Sequence, residues 1–300
     1  SNDEKKVKEI TETLAILFLK KIKLKKINNL SKTVLVIAGS DPSGGAGIQA
    51  DLKTLTSLGV YGMTAITALT EQNTNGVSDI FEIPLDFVVK QINCCLSDID
   101  INAVKIGMLH SAELIFAVYE ALNDNNILSK KDINIVLDPV MVAKGGHKLL
   151  KENAVDALKN FIYKVHPVLT PNIPEAEILT GMKINNLTDM KNVGKEIIKL
   201  GASNVIMKGG HMETPVMTDL YIDDSEIYSI ETKKILTNHT HGTGCTMASA
   251  LSAFLAKSFN VKFSFENAHK YVNNAIKTSP KFGRGNGPIN HCYNINEFKV

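Results

Sequence analysis

The chain has 300 residues, 44% of them hydrophobic, and a formal net charge of +2. This length is enough to bury a large core, and a charge so close to zero excludes a surface built for nucleic acid. No apolar run approaches the roughly 20 residues that a membrane-spanning helix needs, and the four cysteines show no metal-binding or redox spacing. We therefore expect a cytoplasmic protein with no nucleic-acid partner and no membrane span.

Residues 1–33 are predicted to form an amphipathic, lysine-rich extension that precedes one domain over residues 34–300. Apolar side chains recur at helical spacing between residues 7 and 18, and five lysines occupy residues 20–26. Four acidic residues among the first twelve argue against a transit peptide. We expect the extension to dock on its own domain or on a partner subunit, and a helix lying on a membrane surface is the alternative.

From residue 34 onward, short β-branched segments alternate with segments of helical periodicity. The predicted strands are residues 34–38, 63–69, 103–106, 133–137, 165–169 and 205–207. The predicted helices are residues 48–58, 85–97, 112–122, 154–163, 174–179 and 189–200. This alternation predicts an α/β fold with a mostly parallel central sheet and helices on both faces. A weaker alternation over residues 220–230 predicts an antiparallel hairpin at the sheet edge.

Polar or glycine-rich segments follow five of these predicted strands. They are residues 39–47, residues 71–74, Asp138, Asn172 and Lys208. In a mostly parallel sheet, ligands bind in the crevice outside the carboxyl ends of the strands. The sequence therefore predicts that separate loops converge on one ligand site.

Residues 240–246 have the sequence Thr-His-Gly-Thr-Gly-Cys-Thr and lead into a predicted helix at residues 247–256. Free N–H groups and the helix dipole at such a start favour an anion such as a nucleotide phosphate. The same field is expected to lower the pKa of Cys245, and a thiolate there is able to take a proton from an alcohol. The alternative is a tight turn in which Cys245 only contributes to packing.

The glycine-rich segment 39–47 joins a strand to a helix and brings bare backbone close to a ligand. It is not a P-loop, because no Gly-Lys-Ser or Gly-Lys-Thr follows. Gly45, Gly47 and Ala50 match the dinucleotide-binding fingerprint, and Glu71 lies about 20 residues further on, where an acidic residue holds a ribose hydroxyl. A nucleotide-dependent oxidoreductase is therefore an open hypothesis.

Side chains suited to phosphate chemistry occur in the second half of the chain. Asn172 and Glu175 stand at a predicted helix start, where their oxygens suit Mg²⁺ and its waters, and Asp138 is a second candidate ligand. Lys208, followed by two glycines, supplies a mobile positive charge. Each feature also has a simpler explanation, namely a capped helix, a turn and a surface lysine. Together they are the parts that phosphoryl transfer requires.

Eight segments occur in an order that is typical of one family. They are residues 38–58 (AGSDPSGGAGIQADLKTLTSL), 66–74 (ITALTEQNT), 105–109 (KIGML), 137–140 (LDPV), 169–176 (LTPNIPEA), 207–211 (MKGGH), 239–246 (HTHGTGCT) and 285–291 (GNGPINH). With these motifs, residues 34–291 resemble the hydroxymethylpyrimidine/phosphomethylpyrimidine kinases of thiamine biosynthesis. The resemblance implies a ribokinase-like fold with a small or absent lid, and ATP and Mg²⁺ as cofactors. It implies phosphorylation of 4-amino-5-hydroxymethyl-2-methylpyrimidine and then of its monophosphate.

The resemblance also implies roles for residues at the pyrimidine and at the reacting group. Gln72 is expected to pair with the pyrimidine edge, because an amide donates and accepts at once. The pocket around the pyrimidine is expected to include Gly39, Asp51 and Met108. Cys245 is expected to act as the general base, at a position where most of the superfamily has an aspartate. Lys208 and an anion hole at Gly242, Thr243 and Gly244 are expected to assist it.

For the nucleotide and the metal, the resemblance implies two further groups of residues. The expected nucleotide contacts are Asn172, Lys208, Thr240, Gly242, Gly244 and Arg284. The expected magnesium ligands are Asp138 and Glu175. Arg284 stands where the family often has lysine, and its planar fork suits a phosphate. The resemblance also implies a homodimer.

Two further alternatives stay open beside the oxidoreductase. Some cysteine-bearing relatives phosphorylate B6 vitamers, which are also planar rings with a hydroxymethyl arm, so a pyridoxal kinase is the nearest rival. Gln72 favours the pyrimidine. A catalytically silent pyrimidine-binding regulator would require a missing catalytic residue, and the sequence lacks none.

Overall fold

A computed structural model of the chain describes residues 32–142, 146, 149–210 and 215–296. Its strands are β1 (Thr33–Ser40), β2 (Tyr61–Asn73), β3 (Gly76–Glu82), β4 (Ala103–Ile106), β5 (Asn134–Leu137), β6 (Val168–Leu169), β7 (Asn204–Met207), β8 (Val216–Ile222) and β9 (Ile227–Lys233). They form one sheet in the order β3-β2-β1-β4-β5-β6-β7-β8-β9. The six strands from β2 to β7 in this order are parallel, and β3, β8 and β9 pair antiparallel at the two edges.

Helices cover both faces of the sheet. They are α1 (Gly47–Ser57), α2 (Leu85–Asp98), α3 (Ala112–Asp124), α4 (Val155–Val165), α5 (Ile173–Thr180), α6 (Leu187–Lys199), α7 (Thr243–Ala256) and α8 (Val261–Lys277). The larger core packs α2 to α6 against one face, while α1, α7 and α8 cover the other. Within the described residues, no helix is both long and apolar enough to cross a membrane.

Local sequence accounts for the central elements. Residues 34–38 of β1 are almost completely buried, as expected for a parallel strand covered on both faces. Several helices begin at a side-chain cap: Ser111 accepts a hydrogen bond from Leu114 N at 3.2 Å, and Asn260 accepts one from Phe263 N at 2.8 Å. These two helices therefore begin at polar residues of the preceding loops.

The predicted α/β fold with a mostly parallel sheet is confirmed, and so is the antiparallel hairpin, formed by β8 and β9. The predicted strand at 165–169 is shorter in the structure, because α4 continues to Val165 and ends at His166 with φ +50°. The sequence pattern does not predict β3 or α8: β3 is mostly exposed, and α8 mixes polar and apolar residues. The predicted apolar stripe and lysine run at residues 7–26 lie outside the described residues.

A carboxyl-terminal segment fixes the position of α7 and α8. His291 Nε2 bonds to Thr246 Oγ1 at 3.0 Å, and the Thr246 hydroxyl donates to Gly242 O at 2.8 Å. Since the hydroxyl proton is already used, His291 is the donor in this pair. Tyr271 donates its hydroxyl to His291 O. Burial, with nearby positive charge, lowers the pKa of His291 to about 4.

We predict that His291→Gln makes the protein less sensitive to acid. The pKa of His291 is lower in the folded protein than its ordinary 6.5, so its contribution to stability is complete above pH 6.5 and is lost as the pH falls toward 4. Between neutral pH and about pH 4.5, the wild type should lose about 2 kcal/mol more free energy of unfolding than the variant. Urea denaturation at both pH values measures the two losses, and equal losses contradict the prediction.

Candidate active site

A cavity of about 740 Å³ lies at the carboxyl ends of the parallel strands. The predicted site residues that line it are Gly39, Gln72, Met108, Asp138, Asn172, Glu175, Lys208, Thr240, Gly242, Thr243, Gly244 and Cys245. The structure therefore brings together the loops after β1, β5, β6 and β7 with the start of α7. Two predicted residues, Asp51 and Arg284, lie outside this lining.

One end of the cavity carries a lysine beside the start of α7. Lys208 Nζ donates to Asp138 Oδ1 at 2.8 Å, and the Thr170 hydroxyl donates to the same oxygen at 3.1 Å. A methyl group on Gly244 would stand 3.2 Å from Lys208 Nζ and 3.5 Å from Asp138 Oδ2. Burial alone would lower the pKa of Lys208, but the charges of Asp138 and Glu175 outweigh it and raise this pKa. Lys208 is therefore held as a cation within reach of the helix start.

The start of α7 presents free backbone N–H groups to the cavity. Its N-cap, Gly242, has φ +80° and no side-chain cap. A methyl group there would lie 1.7 Å from Gly45 O, so only glycine fits both the conformation and the space. Gly244 and Cys245 belong to the first turn, where no helical carbonyl precedes their N–H groups. This geometry suits an anion beside Lys208.

Glu175 is buried at the start of α5, next to the same lysine. Its Oε2 accepts a hydrogen bond from Asn172 N at 2.8 Å, and Asn172 Oδ1 accepts one from Glu175 N at 3.0 Å. This reciprocal pair is a capping box, so both residues also cap the start of α5, as the simpler explanation of them expects. Burial raises the pKa of Glu175 to about 7, the charge of Asp138 adds to this effect, and that of Lys208 opposes it.

Asp138 and Glu175 fit the binding of Mg²⁺. Within the described residues, no three or more His, Cys, Asp or Glu side chains lie close enough together to hold a metal ion by themselves. Mg²⁺ does not need such a cage, since it is commonly held by one or two carboxylates together with waters and substrate phosphates. Two neighbouring buried carboxylates that disfavour each other's charge provide this donor set.

Cys245 corrects one prediction. The field of the helix start was expected to lower its thiol pKa, but burial raises this pKa to about 12. Lys105 lowers the pKa, while the charges of Asp51 and Asp138 raise it further. Desolvation thus outweighs the helix dipole, whose effect at a helix terminus is small. Cys245 holds its proton in the ligand-free protein at neutral pH.

The other end of the cavity carries Gln72 and a histidine that the sequence analysis does not single out. β2 continues through the polar segment 71–74 as far as Asn73, because β3 pairs with it there, so Gln72 projects from a strand. Its Oε1 accepts a hydrogen bond from Thr70 Oγ1 at 2.9 Å. Its Nε2 lies 3.5 Å from His241 Nε2, which bonds to Asp41 Oδ2 at 2.8 Å. His241 thus links the amide to the turn after β1.

Asp51 lies behind the cavity, and the prediction that it lines the pocket is corrected. Its Oδ2 accepts a bond from Lys105 Nζ at 2.8 Å, and its Oδ1 accepts one from Ser249 Oγ at 2.6 Å. Both charged side chains are fully buried. Lys105, rather than Asp51, contributes to the cavity wall. The sequence carries a signal for this pair, since Lys105 is the only charge in β4 and Asp51 lies on the buried face of α1.

Arg284 and Glu71 also lie outside the cavity lining. Arg284 is exposed, and the glycines on either side of it pack against Thr74 at the end of the β2–β3 hairpin. The expectation that Arg284 contacts the nucleotide is therefore not met in this structure. Glu71 is exposed and is paired with Asp79 of β3. It is not placed to hold a ribose in the cavity.

Comparison with known proteins decides the family. A family model described as phosphomethylpyrimidine kinase matches residues 41–290. The chain belongs to the phosphomethylpyrimidine kinase family. The hydroxymethylpyrimidine/phosphomethylpyrimidine kinase of Bacillus subtilis is 44% identical over 258 residues, which cover 86% of this chain and 93% of that protein. The thiamine biosynthesis bifunctional protein ThiED of Geobacter sulfurreducens is 44% identical over 259 residues, but the match covers only 52% of that protein.

Solved structures agree with this family. Phosphomethylpyrimidine kinase from Clostridium difficile 630 is similar with a TM-score of 0.71 and 41% identity, over 82% of this chain and 99% of that chain. An ADP complex of Bacillus subtilis pyridoxal kinase is similar with a TM-score of 0.80 and 35% identity, over 89% of this chain and 100% of that chain. The fold is ribokinase-like and the protein is a phosphotransferase, so the oxidoreductase hypothesis is wrong.

We predict that the alkylation rate of Cys245 keeps rising with pH between pH ~7 and ~10. In a variant that carries Cys94→Ser, Cys95→Ser and Cys292→Ser, Cys245 is the one remaining thiol of the four. Its rate with iodoacetamide should rise about tenfold per pH unit between pH ~7 and ~10 without levelling off, because only the thiolate reacts.

The denatured variant is the control, and its rate should level off above a pKa of about 8.5. A folded-state plateau with a midpoint at or below about 8.5 would contradict the raised pKa and restore the thiolate expected from the helix field.

Proposed function

We propose that the protein uses ATP and Mg²⁺ to phosphorylate 4-amino-5-hydroxymethyl-2-methylpyrimidine and then its monophosphate, giving the diphosphate for thiamine biosynthesis. The observation that carries the proposal is one cavity with two chemically different ends. Lys208 and the free start of α7 form an anion-binding end, and Gln72 forms an end that suits a heterocycle. Cys245 also lines this cavity. The Bacillus subtilis relative named for both pyrimidine kinase activities is matched over 93% of its length.

In the first transfer, the hydroxymethyl oxygen attacks the γ-phosphorus of ATP, the bond to the bridging oxygen breaks, and ADP leaves. The N–H groups of Gly244 and Cys245 and the Lys208 ammonium stabilise the charge on the transferred phosphoryl group. Mg²⁺, held by Asp138 and Glu175, would neutralise phosphate charge and align the nucleotide. Gln72 orients the ring so that its hydroxymethyl arm points to the reacting phosphate.

The hydroxyl proton goes to the Cys245 thiolate in this proposal. Because the negative charge of Asp138 raises the thiol pKa, compensation of that charge in the loaded site makes the thiolate more accessible. Lys105 acts in the same direction. The second transfer needs no such base, since the substrate phosphate is already ionised. Cys245 is therefore expected to matter for the alcohol more than for the monophosphate.

Phosphorylation of pyridoxal is the second candidate function. Structures of pyridoxal kinases from Bacillus subtilis and Staphylococcus aureus resemble this chain with TM-scores of 0.80 and 0.79. Pyridoxal also has a planar ring and a hydroxymethyl arm, so the anion-binding end serves both substrates equally. Discrimination falls to Gln72, whose amide matches a ring nitrogen beside an exocyclic amine.

We also propose that the enzyme is a cytoplasmic homodimer, as the family resemblance implies. The exposed edge strand β3 and the exposed Phe81 on it are compatible with a subunit contact. The role of residues 1–33 as a docking extension stays part of this proposal.

We predict that wild-type protein releases ADP with the pyrimidine alcohol and that mass analysis finds both mono- and diphosphate products. Cys245→Ala should lower kcat for the alcohol about a hundredfold and change kcat for the monophosphate less than about threefold, with KM for either pyrimidine nearly unchanged. Cys95→Ala, which alters a thiol outside the cavity, is the control. A kcat/KM for pyridoxal about tenfold above that for the alcohol would favour the second candidate, and equal losses of both transfers would remove Cys245 as the base.

A further inference from the structure

Two buried titratable side chains, Asp219 and His269, lie in the cavity wall near Lys208, and the proposed reaction does not use them. Asp219 belongs to β8 and is 3% exposed, and His269 belongs to α8 and is 4% exposed. Both contribute to the cavity lining. Buried ionisable groups beside a ligand cavity are seldom there for packing alone.

Asp219 holds the turn that carries Lys208. Its Oδ1 accepts a hydrogen bond from Gly209 N at 2.8 Å. Gly209 also packs directly on the backbone of β8, because a methyl group there would lie 1.9 Å from Thr218 O. The backbone immediately after Lys208 is thus fixed to β8 by one carboxylate and by close packing.

His269 faces the other oxygen of this carboxylate. Its Nε2 lies 3.6 Å from Asp219 Oδ2, and this nitrogen is buried without a hydrogen-bond partner. Burial lowers the pKa of His269 and raises that of Asp219, and in each case the opposite charge of the partner works against burial. A charge on either residue alone would be destabilising at this buried position, and opposite charges on the two residues compensate one another.

His269 also connects the turn to a whole wall of the cavity. It lies on the same face of α8 as Val272 and Ile276, three and seven residues further on, and all three line the cavity. The turn that carries Lys208 and the cavity wall formed by α8 therefore meet at the Asp219–His269 pair.

We propose that His269 is a positioning residue for nucleotide binding, which acts through Asp219 to fix the Gly209 N–H and the adjacent Lys208. The inference rests on the proposed function only in taking the anion at Lys208 to be a nucleotide phosphate. Loss of the pair frees the turn, so the phosphates should bind more weakly while the pyrimidine end stays intact.

The test compares His269→Phe with His269→Gln. Phenylalanine keeps a ring against Phe265 but removes Nε2, whereas glutamine keeps a side-chain N–H donor. We expect His269→Phe to raise the Kd for a non-hydrolysable ATP analogue with Mg²⁺, measured by calorimetry, and the KM for ATP about tenfold each. Its KM for the pyrimidine should change less than about twofold, and His269→Gln should stay within about threefold of wild type.

The matched control is Ser264→Ala on the same helix. It removes a buried hydroxyl that, like His269 Nε2, has no hydrogen-bond partner, but Ser264 does not line the cavity. It should leave binding of the ATP analogue unchanged. If His269→Phe binds the analogue as tightly as wild type, or if the control weakens binding equally, the inference is wrong.

Asp219→Asn keeps an oxygen for Gly209 N–H and removes the charge that faces His269, so it supplies a second variant should His269→Phe not fold. It should weaken binding of the ATP analogue about as much, and the double variant His269→Phe/Asp219→Asn should bind it no more weakly than either single variant. Additive losses would show that the residues act separately and would overturn the inference. Because binding of the ATP analogue requires no turnover, a wild type that binds the analogue but phosphorylates no pyrimidine would refute the proposed function and leave this test intact.

Discussion

The close approach of two glycine turns, one after β1 and one before α7, sets the geometry on which the remaining site depends. Gly242 leaves no room for a methyl group against Gly45 O, and Asp41 bonds to His241 across the same junction at 2.8 Å. Because no side chain separates the turns, α7 begins inside the crevice, and its first turn reaches Lys208. A bulkier residue at either turn would move the helix start away from the lysine and separate the two parts of the anion site.

Charge compensation at the base of the cavity is the second constraint. Lys105 pairs with Asp51, and Lys208 pairs with Asp138, so each buried cation has a partner. Glu175 forms no ion pair of its own within the described residues, and burial raises its pKa, with the charge of Asp138 adding to this effect. Burial also keeps the proton on Cys245, and the charges of Asp51 and Asp138 add to this effect. The ligand-free site is thus arranged to accept added positive charge next to Asp138 and Glu175, and the proposed chemistry starts only when that charge is present.

Much of the fold and most of the site could be predicted from the sequence, because both depend on local patterns at strand ends. Lys208 and Asp138 directly follow buried strands, Asn172 comes three residues after one, and parallel strands bring such ends together. The pKa of Cys245 could not be predicted, because burial depends on how α7 packs against distant segments. Asp51 was misplaced for a related reason: its partner Lys105 is 54 residues away, and only the folded sheet brings them together.

The missed elements have a similar explanation. β3 gains its order from pairing with β2 and exposes Phe81, so its own pattern resembles a loop. The importance of Asp219 and His269 emerges only when β8 and α8 face the same cavity. Residues whose roles come from a single long-range contact leave no periodic signal in the chain.

A crystal structure with Mg²⁺, a non-hydrolysable ATP analogue and the pyrimidine alcohol would test the central claim most directly. The account predicts the γ-phosphate between Lys208 Nζ and the first turn of α7, the hydroxymethyl oxygen next to Cys245 Sγ, and the ring edge against Gln72. Phosphates bound instead by the glycine turn after β1, or a pyrimidine bound away from Cys245, would contradict it.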